Sequence, residues 1–142
     1  MTGKKTIYLA APLFSEAEQE FNRKLRDQIV ERGFSVFLPQ EDSNDTTDMR
    51  HDEKQSYIFN KNFKAIDNSN LIVAILDGGS DVDSGTAWEL GYAFANNKTV
   101  LALKTDFRTL GSEGIVNLMV EVSVDALATD VSGLMDALEQ HR

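Results

Sequence analysis

The stretch from Leu71 to Ala95, LIVAILDGGSDVDSGTAWELGYAFA, decides how this chain is read. Leu71 to Leu76 is an unbroken apolar run of strand length, the pattern of a strand buried on both faces, and Asp77-Gly78-Gly79 punctuates its end. The chain then restarts as a helix over roughly Ser84 to Asn96. That helix carries one acid, Glu89, among Ala87, Trp88, Leu90 and Tyr92, shortly after Asp77, Asp81 and Asp83. A turn between a strand's carboxyl end and the next helix is where an open α/β sheet holds its ligand. The candidate site is therefore acidic.

Working outward, Lys5 to Ala10 (KTIYLA) reads as a short strand closed by Pro12. Ser15 with Glu18 forms a capping-box pattern, and Phe21, Leu25 and Ile29 recur at helical spacing up to Gly33. Phe34 to Leu38 reads as strand two. Pro39 to Arg50, rich in Asp, Asn, Ser and Thr, reads as an irregular loop whose length invites a functional explanation. Tyr57, Ile58, Phe63 and Ile66 fit a helix over His51 to Asn68. Thr99 to Leu103 is strand four, Thr105 to Gly114 a turn segment, and Val131 to His141 a closing helix. Asn117 to Val124 fits a short fifth strand or an edge segment.

Strands alternating with helices imply a parallel sheet covered on both faces. The expectation is an α/β fold, one doubly wound domain over residues 1–142 with a five-stranded parallel sheet in the flavodoxin-like order 2-1-3-4-5. In that order the switch point lies between strands one and three. Tyr8 to Phe14, Pro39 to Asp42 and Asp77 to Glu89 then converge at the strands' carboxyl ends.

Composition narrows the ligand. A net charge of -9 argues against nucleic acid as a partner, because phosphate backbones are bound by clustered Lys and Arg. With no cysteine there is neither a disulfide framework nor a cysteine nucleophile or ligand. No apolar run has the length of a signal segment or a membrane span, so a cytoplasmic protein without membrane contact is expected. His51 and His141 sit in polar surroundings and form no triad with a serine. Gly78-Gly79 and Gly85 match neither GxGxxG nor GxxxxGK[ST], and the first turn, AAPLFSEAEQ, has no glycine. A dinucleotide or triphosphate is disfavoured, because the backbone leaves little room for phosphate approach.

IYLAAPLF at strand one, AILDGGSDVDSGTAWELGYAFANNK around helix three, KTDFR after strand four, and Asn117-Leu118-Met119 together resemble the nucleoside 2-deoxyribosyltransferases over most of the chain. The resemblance implies transfer of a 2-deoxyribosyl group between nucleobases by double displacement, with Glu89 as nucleophile. It implies that Asp83 holds the sugar 5'-hydroxyl, that Tyr8 orients Glu89, and that Asn117, with Met119 two residues on, reaches a neighbouring subunit's site. The substrates would be deoxynucleosides and free nucleobases. The protein would be a homo-oligomer with a shared active site, a dimer at minimum and a hexamer as the larger option.

The chemistry supports such a mechanism. Breaking an N-glycosidic bond develops positive charge on the sugar, and a carboxylate beneath the anomeric carbon both stabilises it and forms a glycosyl ester. Apolar neighbours and a hydroxyl donor would keep Glu89 oriented and partly desolvated. No metal or redox cofactor is needed. Asn62 stands where the family commonly has an aspartate assigned to the base. An amide hydrogen-bonds a base without protonating it, which leaves Asp77, Glu41 or Asp42 as alternative proton donors. Gln40 is a further candidate for the base.

Plain structural roles compete with these. Asp83 precedes Ser-Gly-Thr and suits a helix N-cap, Tyr8 suits a core aromatic, and Gln40 suits the end of strand two. Two other functions fit the fold. Related hydrolases act on deoxynucleoside 5'-monophosphates, but Asp83 would repel a 5'-phosphate. A nucleoside-binding module without turnover would have no use for a reactive carboxylate among apolar neighbours.

Overall fold

The computed structural model describes residues 3–142. Five strands, β1 (Thr6–Ala10), β2 (Ser35–Phe37), β3 (Leu71–Ile75), β4 (Thr99–Leu103) and β5 (Ala126–Ala128), form one sheet in the order β2-β1-β3-β4-β5. Every pairing is parallel. The helices are α1 (Glu16–Glu31), α2 (Pro39–Asp42), α3 (His51–Asp67), α4 (Ser84–Ala95), α5 (Leu118–Ser123) and α6 (Val131–Glu139), with a 3-10 turn at Gly111–Glu113. The expected α/β fold and strand order are present.

Strand periodicity divides the core in two. Ile7, Leu9, Val73, Ile75, Leu101 and Leu103 face α1 and α6, where Leu25, Ile29, Leu134 and Leu138 meet them. Tyr8, Ala10, Ile72, Ala74, Val100 and Ala102 face the other way, onto Ile66 of α3, Leu90 and Ala93 of α4, and Val120 of α5. Period two thus sends Tyr8 toward α4. Ala10, Ala74 and Ala102 lie in register across three strands.

Local signals account for most boundaries. Ser15 accepts from the Glu18 N–H and the Glu18 carboxylate accepts from the Ser15 N–H, so the capping box is complete. Gly33 takes a φ of 98° just past α1, which a side chain would strain. At Gly78 an added Cβ would lie 2.2 Å from the Asp81 carbonyl oxygen, so only glycine fits that turn.

Two expectations need correction. Pro39 to Arg50 is not wholly irregular, because Pro39 starts α2, the position where its missing N–H costs nothing. Asn117 to Val124 holds no strand. The Asn117 side chain accepts from the Met119 N–H at 2.9 Å and caps α5, and the fifth strand follows at Ala126. Among the described residues no helix is long and apolar enough to cross a membrane.

Candidate active site

Between α3, α4 and the loop after β1 lies a cleft of about 540 Å³. Its walls carry four aromatic rings, Phe14, Phe59, Phe63 and Trp88, and its polar side chains are Asn62, Asp83, Ser84 and Glu89. The size and the few convergent polar groups suit a small-molecule ligand. Phe59 meets Trp88 edge-on at 5.4 Å between ring centres, and Trp88 stacks on Tyr92 at 5.5 Å. These contacts hold the rings as a wall, although Phe59 and Trp88 are each about half exposed.

Glu89 stands at the inner edge of this wall. The fully buried Tyr8 donates its hydroxyl to Glu89 Oε2, and the Tyr8 ring stacks on Phe37 at 5.6 Å, which fixes the phenol. Glu89 Oε1 has no protein partner among the described residues and remains available to a ligand. Burial pushes the Glu89 carboxyl up to about 7; the Tyr8 hydrogen bond works against that rise, and the charge on Asp83 adds to it. Burial, together with the charge of Glu89, raises the Tyr8 phenol well above the ordinary tyrosine range, so it stays a donor. A carboxyl so placed, raised toward neutrality in a cleft, is a candidate functional group.

Asp83 lines the same cleft and also caps α4. Its Oδ2 accepts from the Thr86 N–H at 3.0 Å and the Thr86 hydroxyl at 3.2 Å. One oxygen thus serves the helix cap, and Oδ1 has no partner among the described residues. Asn62 lines the cleft as well, its Oδ1 accepting from the Ser43 hydroxyl at 2.6 Å.

The other sequence candidates lie elsewhere. Asp77 ties the chain after β3 to the loop after β4, accepting from Thr105 N at 2.9 Å, Thr105 Oγ1 at 2.6 Å and Asp106 N at 2.8 Å. It borders a smaller hollow with Asp106 and Arg108. Gln40 pins α2 to α1, accepting from Asn22 Nδ2 at 2.9 Å and donating to the Gln19 carbonyl at 3.0 Å. Asp42 accepts from Leu38 N, and Glu41 pairs with Arg23 at 3.6 Å. None of Asp77, Glu41 and Asp42 lines the cleft. Asn117 and Met119 line a separate apolar groove of about 640 Å³ across α4. Among the described residues no group of three or more His, Cys, Asp or Glu is placed to hold a metal ion.

Sequence reading missed Phe59 and Phe63 as residues lining the cleft. The available signal was Phe59 with Phe63 and Trp88 with Tyr92, pairs four apart that share a helix face.

No curated protein matches the chain by sequence. Among solved structures, a 2-deoxyribosyltransferase from Bacillus psychrosaccharolyticus is similar at a TM-score of 0.78 and 27% identity, over 89% of this chain and 88% of that one. The 2-desoxiribosyltransferase from Leishmania mexicana gives 0.72 at 25% identity, over 97% and 99%. A conserved protein from Enterococcus faecalis gives 0.80 at 28% identity, over 99% and 100%. The family profile of nucleoside 2-deoxyribosyltransferase matches residues 7–136. With a matching fold and a match spanning nearly the whole chain, the protein belongs to the nucleoside 2-deoxyribosyltransferase family and is an enzyme of that kind.

Proposed function

We propose that this enzyme moves a 2-deoxyribosyl group from one nucleobase to another by double displacement, with Glu89 as the nucleophile. The observation that carries this reading is the Tyr8–Glu89 hydrogen bond at the inner edge of an aromatic cleft, which orients one carboxylate oxygen and leaves the other open. In the first half-reaction Glu89 Oε1 attacks the anomeric carbon. A C–O ester bond forms, the C–N bond breaks, and the departing base keeps the bonding pair and takes a proton from water. In the second half a ring nitrogen of another base attacks the same carbon, the carboxylate leaves, and the incoming base loses a proton to solvent. Two inversions return the original configuration.

The surrounding groups serve this sequence. The free oxygen of Asp83 accepts the sugar 5'-hydroxyl, and Phe14, Phe59 and Trp88 flank the base. The charge developing on the ring is easier to reach in deoxyribose, which lacks the electron-withdrawing 2'-hydroxyl. The chain acts as a homo-oligomer in which Asn117 and Met119 complete a neighbour's cleft. Their place in a groove separate from the cleft that Glu89 lines supports this, as does the exposure of that groove, where Met119 is 74% and Val122 80% exposed.

The test incubates the protein with deoxyinosine or thymidine, with and without adenine, and separates bases from nucleosides by chromatography. Deoxyadenosine is expected only when adenine is present. Free base alone would make the enzyme a hydrolase. No reaction at all would leave a binding module.

A further inference from the structure

We propose that Ser43 sets which end of the Asn62 carboxamide a nucleobase meets, so that the cleft selects oxo bases over amino bases. The proposal rests on the cleft being the base site. Ser43 follows α2 and is buried, and its hydroxyl has one partner among the described residues, Asn62 Oδ1 at 2.6 Å. A hydroxyl hydrogen needs an acceptor. Were the amide turned over, the buried hydroxyl would face an NH2 group and its hydrogen would have nowhere to go. Oδ1 is therefore held on Ser43, and Nδ2, with no partner among the described residues, is presented to the cleft.

The serine is itself held firmly. Its N–H donates to the Pro39 carbonyl at 3.0 Å, while Gln40 ties α2 to α1 and Asp42 ties it back to Leu38. An NH2 group at the base site pairs with a carbonyl oxygen, such as O6 of hypoxanthine or O4 of uracil. Against the exocyclic amino group of adenine or cytosine, two donors face each other and one goes unpaired. The loop between β2 and α3 thus reaches the base through one hydroxyl, without lining the cleft.

The experiment measures dissociation constants of hypoxanthine, adenine, uracil and cytosine by calorimetry in the wild-type protein, Ser43→Ala, Ser43→Thr and Asn62→Asp. Each oxo base should bind about five- to tenfold more tightly than its amino counterpart in the wild type. Ser43→Ala frees the amide to turn, and the ratio should fall toward one. Ser43→Thr keeps the hydroxyl and should keep the ratio. In Asn62→Asp the hydroxyl occupies one oxygen and the other is an acceptor, so the order should reverse. An unchanged ratio in Ser43→Ala, a lost ratio in Ser43→Thr, or equal binding of all four bases by the wild type would overturn the proposal. Binding is read without turnover, so failure of transfer with the ratios intact would sink only the transferase mechanism.

Discussion

Helix α4 has two flanks that differ in chemistry although each borders a hollow of similar size, about 540 Å³ toward α3 and about 640 Å³ toward α5. Ser84, Gly85, Trp88 and Glu89 line the first; Ala87, Leu90, Gly91 and Phe94 line the second. Helical spacing alone sorts them. The first flank gathers an oriented acid, a capping acid with a free oxygen, and a wall of aromatic rings. The second meets Leu118, Met119 and Val122 of α5, with Asp81 at its edge. Volume does not say which hollow does chemistry. A carboxyl raised toward neutrality and held by a buried phenol is what favours the first flank in the proposed mechanism, and the exposed apolar residues of the second are what favour it as the proposed contact between copies.

The sharpest break is Glu89→Gln. The amide oxygen still accepts from Tyr8, so the buried phenol keeps a partner and the fold is retained, while the nucleophile is gone. Transfer should fall by about a thousandfold or more, read as the chromatographic rate. The same variant exposes a linkage effect. The folded carboxyl titrates at about 7 against an ordinary 4.5, so the folded state holds its proton more strongly than the unfolded chain. That contribution to stability is full below about 4.5 and is lost as pH rises through about 7. Thermal melts of wild type minus Glu89→Gln should show the difference shrinking over that window. A flat difference would mean that Glu89 is ordinarily solvated.

The other flank is tested by Val122→Asp. Val122 is 80% exposed in the single chain, so the substitution should change the chain's own stability by no more than about 0.5 kcal/mol. Buried between copies, the new charge should dissociate the assembly in sedimentation and lower transfer by about a hundredfold. A fully active monomer would confine catalysis to the α3 flank.

How far the sequence disclosed all this varied with the physics of each element. β3 was plain, because a strand buried on both faces is an unbroken apolar run. α5 was not, because IVNLMVEV is rich in residues that favour strands. Its true signal was Asn117 as a cap, with Val116 and Val120 buried four apart. α2 was too short to show any periodicity, although Pro39 at its first position was visible. Of the cleft, Asp83 and Glu89 stood out as acids following the carboxyl end of a strand, whereas Tyr8, in the middle of β1, was singled out only by the family resemblance. The Ser43–Asn62 contact joins residues 19 apart across a loop, and no local pattern encodes it.

Tyr8→Phe should lower turnover by about ten- to a hundredfold. Because the Tyr8 hydroxyl opposes the rise of the Glu89 carboxyl, removing it should also move the rising limb of the pH–rate profile to higher pH. A slower enzyme with an unmoved limb would assign Tyr8 to packing.

The smallest change separates the two roles of Asp83. Asp83→Ser keeps a side-chain oxygen for the Thr86 N–H, so stability should stay within about 0.5 kcal/mol of wild type, where loss of the cap would cost about 1 kcal/mol. The free carboxylate oxygen disappears, and KM for the deoxynucleoside should rise by about tenfold. The Asp83 charge helps to raise the Glu89 carboxyl, so its removal should shift the rising limb to lower pH, the opposite of Tyr8→Phe. Two substitutions on either side of one carboxyl that move its titration in opposite directions would place Tyr8, Glu89 and Asp83 in a single electrostatic unit. An unmoved limb and an unchanged KM in Asp83→Ser would return this acid to the helix cap alone.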